Sequence, residues 1–118
     1  MKPIGPYSVS RTAGELVFVS GQISDPTLDI KGQTTDILTR VTTILSEYGL
    51  TLNNVVKTTV FMTDLKDFDM MNKTYAAFFK EPYPARSTLQ VSALPKGVQI
   101  EIEVVASKAA AKAMARPC

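Results

Sequence analysis

Two stretches near the end of the chain carry side chains able to do chemistry together. In a strand starting at Arg86, alternation sets Arg86, Thr88, Gln90 and Ser92 on one face and Ser87, Leu89, Val91 and Ala93 on the other. In the last strand Gln99, Glu101 and Glu103 alternate with Ile100, Ile102 and Val104. If the two strands pair through the turn-like Leu94-Pro95-Lys96-Gly97, a guanidinium and carboxylates share one sheet surface. Such a surface could grip a ligand's carboxylate and activate a water. The plainer reading is an Arg–Glu salt bridge, solvated or bridging subunits.

Other polar residues read both ways as well. Ser20, before Gly21-Gln22, suits a strand-end hydroxyl that satisfies the backbone. Tyr7 follows a Gly-Pro turn, and Asn72 is a polar residue among apolar ones on a helix. Phe68, Met71 and Phe79 fit core positions better than a ligand box.

Composition removes several chemistries. The 118 residues include no histidine, which excludes Ser-His-Asp and Cys-His catalysis and His-ligated zinc. The single cysteine, Cys118, is the last residue, so no intramolecular disulfide can form and a thiol nucleophile is not expected. The net charge is +2 and the basic residues are scattered, so nucleic acid is not an expected partner. No apolar run approaches the roughly 20 residues of a membrane span, and only six residues precede Tyr7, too few for a cleavable leader. No membrane partner is expected, and the location read from these features is cytoplasmic.

The positioning elements are legible as a β-β-α-β-α-β-β series. Ala13-Gly14-Glu15 offers a turn before the β-rich Leu16-Val17-Phe18-Val19, giving a hairpin. Residues 24–33 carry turn formers without periodicity and read as a loop. From Thr35, the residues Ile37, Leu38, Val41, Ile44, Leu45 and Tyr48 fall at helical intervals, closed by Gly49. Residues 55–63 are rich in β-branched residues and read as a central strand. A second helix runs from its candidate N-cap Asp67 to before Pro82, and residues 86–92 and 98–107 form the last two strands. One domain spans residues 1–107, followed by an Ala-rich tail at 108–118. Two amphipathic helices imply an α+β sheet with both on one face, leaving the other face solvated or covered by further subunits.

Six segments in order carry a family resemblance. They are Gly5-Pro6-Tyr7-Ser8, Phe18-Val19-Ser20-Gly21-Gln22, residues 55–61, Asp67-Phe68 with Asn72 and Tyr75, Pro84-Ala85-Arg86-Ser87, and residues 94–98 with Ile100-Glu101-Ile102-Glu103. The sequence resembles the reactive-intermediate deaminases, the YjgF-like or RidA-type family, over about residues 5–107.

That resemblance implies a chorismate-mutase-like α+β fold with a mixed sheet, and a homotrimer with ligand clefts between subunits. It also implies hydrolysis of 2-enamine and 2-imine acids such as 2-aminoacrylate to 2-keto acids and ammonia, with neither metal nor cofactor needed. Carried over by motif, Arg86 would clamp the substrate carboxylate, and Glu101, more than Glu103, would orient or deprotonate the attacking water. Tyr7, Ser20, Asn72 and Thr88 would shape the cleft. Thr88 stands where many relatives have Cys, and Arg40 where they often have Asn. The alternative in the same architecture is a trimeric module that binds or senses small carboxylates without turnover.

Overall fold

The computed structural model describes residues 3–110. Among these described residues, five strands and two α-helices succeed one another as β1 (Ser10–Ala13), β2 (Leu16–Gln22), α1 (Ile30–Ser46), β3 (Val55–Met62), α2 (Phe68–Ala76), β4 (Ala85–Gln90) and β5 (Ile100–Ser107). The strands form one mixed sheet in the order β1-β2-β5-β3-β4. β1 and β2 make the expected hairpin, with Gly14 at φ +58 in its turn, a conformation that glycine adopts without steric cost. Among the described residues the only parallel pair is β3 with β4, and α2 supplies the crossover that such a pair requires.

One sheet face is apolar because alternate residues of each inner strand point to the helices. Val17 and Val19 of β2, Val60 and Met62 of β3, and Ile100, Ile102 and Val104 of β5 are buried with Ile37, Leu38, Val41 and Leu45 of α1 and Met71 of α2. The opposite face is left open, with Phe18, Val56 and Leu89 each about two-fifths exposed. No helix among the described residues is long and apolar enough to cross a membrane.

Three expectations need correction. The first helix starts at Ile30, inside the segment read as a loop, because Asp29 caps it by accepting from the Gly32 N–H at 2.8 Å. Its first turns bury Gln33 and Thr34, polar residues that break the apolar period yet are satisfied internally. The Thr34 hydroxyl donates to the Ile30 carbonyl, while Gln33 donates to the Leu28 carbonyl and accepts from the Gln99 N–H. At α2, Asp67 holds the expected N-cap position before Phe68, but its side chain makes no cap bond and a short 3-10 turn leads into the helix.

The third correction governs the site. β4 and β5 do not pair through residues 94–97, because β3 lies between them, parallel to β4 and antiparallel to β5. That turn carries the chain over the end of β3, with Lys96 at φ 58 and Gly97 at φ 71. The sheet's central strand is therefore β5. The Ala-rich tail beyond residue 110, with Cys118, lies outside the described residues.

Candidate functional site

Arg86 and Glu101 stand on opposite faces of the sheet, which overturns the expectation that they share one surface within a chain. Arg86 pairs in register with Thr58, and Thr58 is fully buried beneath α2. Glu101 pairs with Phe61, three positions along β3 and so on the other face. The intervening β3 and the pleat decide this, and neither is visible in the local sequence of β4 or β5.

On the helix side, Arg86 lies at the edge strand against α2. Phe68, Asn72 and Tyr75 occupy one stripe of that helix at spacings of four and three. The Arg86 guanidinium carbon lies 4.9 Å from the Tyr75 ring centroid and 5.7 Å from that of Phe68. Phe68 is thus a half-exposed wall beside the guanidinium and not core, whereas Met71 and Phe79 are core as expected. The Tyr75 hydroxyl shares a 2.8 Å hydrogen bond with Thr58, and burial raises the pKa of this phenol. Tyr75 is thereby fixed at both ends, ring under Arg86 and hydroxyl on the sheet.

Arg86 forms no ion pair among the described residues, where the pairs are Arg40–Asp36 and Lys66–Asp64. Two oxygens nearby are also uncommitted: Asn72 Oδ1 and Thr88 Oγ1 are buried without a hydrogen-bond partner. Thr88 follows Arg86 on the same face of β4, paired with buried Val60. Asn72, Tyr75, Tyr83, Pro84 and Arg86 line an open pocket of about 350 Å³. A cation held on an aromatic ring, with unpaired polar atoms around it, is arranged to receive an anion that also hydrogen-bonds.

The second group of candidates lies on the β2–β5 side. The pairing of β2 with β5 shifts between Val19 and Gln22, so an extra residue bulges near Ser20-Gly21 opposite Glu103. Glu101 packs its carboxylate onto Gly21: a Cβ there would lie 2.8 Å from Glu101 Cδ and run into Oε2. Burial first, and the neighbouring Glu103 second, push the Glu101 carboxyl above the ordinary glutamate value. Ser20 donates its hydroxyl to the Ser8 carbonyl at 2.6 Å and its N–H to the Val9 carbonyl at 2.9 Å. This is the backbone-satisfying role foreseen for it, and its effect is to fasten the segment bearing the exposed Tyr7 beside the bulge. Tyr7, Ser8, Ser20 and Glu103 share a hollow on this side.

The candidate residues therefore fall into two separate groups, each a candidate half-site: Arg86 with Asn72, Thr88 and Tyr75, and Glu101 with Tyr7, Ser20 and Gly21. Sequence reasoning missed Tyr75 and Gly21 as site residues. For Tyr75 the signal was its place on the stripe with Asn72; for Gly21 no local signal existed. Among the described residues, no three His, Cys, Asp or Glu side chains gather in a way that could hold a metal ion.

Comparison with known proteins bears on both halves. The profile of the family described as endoribonuclease L-PSP matches residues 1–108. A RutC family protein of Pyrococcus horikoshii is 47% identical over 114 residues, covering 91% of this chain and 90% of its own. The 2-iminobutanoate/2-iminopropanoate deaminase of Salmonella typhimurium is 45% identical over 112 residues, covering 87% and 88%. Among solved structures, RidA from an Antarctic Psychrobacter species superposes with a TM-score of 0.86 at 37% identity, covering 90% of this chain and 91% of its own.

Proposed function

We propose that this chain, which belongs to the endoribonuclease L-PSP family that includes the RutC, YjgF and RidA proteins, hydrolyses 2-imino and 2-enamino acids to 2-keto acids and ammonia. The observation that carries the reading is the Arg86 guanidinium, stacked on Tyr75 with no carboxylate paired to it among the described residues. An organic anion is the natural complement, and the planar fork of Arg suits a carboxylate held by two parallel bonds. The deaminase of Salmonella typhimurium supplies the reaction class.

The two half-sites are joined in this proposal by assembly. In a homotrimer, Arg86, Asn72 and Thr88 of one protomer meet Glu101, Tyr7 and Ser20 of the next across a cleft, with the open sheet faces turned inward. The half-exposed Phe18 and Leu89 on that face support such a cover.

The chemistry then follows from positions. An enamine acid first tautomerises to the imine. With the carboxylate on Arg86, C2 of the imine is presented to a water whose proton Glu101 accepts as oxygen bonds to carbon. The C=N double bond becomes single, nitrogen gains protons, and the C–N bond breaks as the carbonyl forms and ammonia departs. Asn72 Oδ1 is an acceptor for the substrate's N–H. Because such imines already hydrolyse in water, holding substrate and water in register supplies a sufficient acceleration.

The test is release of ammonia from 2-iminopropanoate generated in situ, by wild type and Arg86→Ala side by side. Wild type should accelerate it and Arg86→Ala should not; a folded wild-type protein that fails with several such acids overturns the reading. A binding module without turnover is the second reading, favoured by the Arg86 pocket alone, which would hold a carboxylate even without Glu101. Glu101→Gln separates the two: ligand affinity retained with turnover lost supports the enzyme. RNA cleavage, which the family's description suggests, has less support because the basic residues are dispersed.

A further inference from the structure

Besides the two half-sites, the molecule has a third polar recess. It lies at the end of β2 and is lined by Tyr7, Gly21, Gln22, Arg40 and Lys96, beside the apolar N-terminal residues. Both charged residues lining it are cations. Its volume of about 180 Å³ is several times the ~30 Å³ that one water occupies in the liquid.

Each cation is prepared for a partner. Arg40 is held by Asp36 through Nε alone, at 3.0 Å, so this ion pair orients the guanidinium and leaves its terminal nitrogens uncommitted. Asp36 is itself anchored by the Ser24 hydroxyl at 2.6 Å, and that bond first, with Arg40 a lesser cause, keeps its carboxyl below the usual aspartate range. Lys96 makes no ion pair among the described residues. It is also the only non-glycine residue among them at positive φ, a conformation that an L side chain adopts at a cost and that clusters at functional positions.

The recess adjoins the Glu101 half-site. Gly21 belongs to its wall and is the residue over which the Glu101 carboxylate lies, while Tyr7 borders both this recess and the hollow with Ser20. We propose that Arg40 and Lys96 seat a second anionic group of the substrate, so that this chain prefers imino acids bearing a second carboxylate over 2-iminopropanoate. The inference rests on the deaminase reading and narrows it. It assigns Arg86 the carboxylate next to the imine carbon and the recess the carboxylate at the substrate's far end.

The experiment compares kcat/KM for the imines of aspartate and of alanine, each formed in situ by an amino-acid oxidase. The dicarboxylic imine should be preferred by wild type by roughly tenfold or more, as expected for a charge-assisted contact, and that ratio should fall by about the same factor in Arg40→Gln and in Lys96→Ala. A wild-type ratio near one, or a ratio that neither substitution alters, overturns the proposal while leaving the deaminase reading intact. If neither imine is hydrolysed, the deaminase reading fails and the recess is judged by titration of succinate against propionate. Tighter succinate binding that weakens in Arg40→Gln supports it; equal binding of the two overturns it.

Discussion

The Glu101 carboxylate lies over the bare backbone of Gly21, in space that a single methyl group would fill. The bulge between Val19 and Gln22 presents that backbone, so a local irregularity of β2 sets where an acid of β5 can rest. Gly21→Ala must therefore displace the carboxylate. Since an offset of about 1 Å at a reacting group can reduce rate by about a hundredfold, turnover should fall by one to two orders of magnitude while the melting temperature changes little. Ammonia release and thermal unfolding measured on the same preparation check this; undiminished activity would remove Glu101 from the reaction.

The same acid predicts a pH profile. Burial, then Glu103, raises its carboxyl above the ordinary value of 4.5, and in the proposed reaction the ionised form is the base. The kcat/KM profile should thus rise with pH through an apparent pKa above 4.5, and Glu103→Gln should move that limb to lower pH. The sign for stability is opposite. A raised folded-state pKa contributes stability that is present below the unfolded pKa and lost as pH rises through the folded one. Glu101→Gln should accordingly be as stable as wild type or more so at pH 7, with turnover lost. Denaturant melts at pH 4 and pH 7 measure the difference.

Tyr75, on whose ring the Arg86 guanidinium rests, tests the proposed carboxylate grip. Its ring supports Arg86 and its hydroxyl holds Thr58, and these two roles separate by substitution. Tyr75→Phe keeps the ring and should cost about 1 kcal/mol of stability, chiefly from the unpaired Thr58 hydroxyl, with KM unchanged. Tyr75→Leu removes a stacking contact of about 0.5–1 kcal/mol and should raise KM by a few-fold, with kcat less affected. An equal KM in both variants would mean that the stack does not position Arg86.

Much of this arrangement is legible in the sequence, and the parts that are not share a physical reason. The stripe Ile37, Leu38, Val41, Ile44, Leu45 marks α1 because burying one face imposes a 3.6-residue period, but its first turns bury Gln33 and Thr34, whose polarity hides them from that signal. The alternation of β4 and β5 gives each strand its faces correctly. It says nothing about which strand lies between them, since pairing with β3 is settled by contacts more than 20 residues away in sequence. For that reason Arg86 and Glu101 look like neighbours across a turn when they are on opposite sides of a sheet. The Gly21–Glu101 contact has no local signature at all, as it joins two strands 80 residues apart.

The separation of Arg86 from Glu101 within a chain makes the shared cleft testable without a structure of the assembly. If each site takes its guanidinium from one protomer and its acid from the next, Arg86→Ala and Glu101→Gln are inactive for complementary reasons. Co-expressed, or unfolded and refolded together, they would form mixed trimers. A given interface then has Arg86 intact on one side with a probability of about one half, and Glu101 intact on the other with the same probability. About a quarter of the sites should regain both groups, and ammonia release should recover to about a quarter of the wild-type rate per site. Mixing the two folded proteins without subunit exchange should restore nothing, which separates complementation from contamination. If both groups instead acted within one chain, no mixed assembly could contain a complete site, and the mixture would stay as inactive as its components.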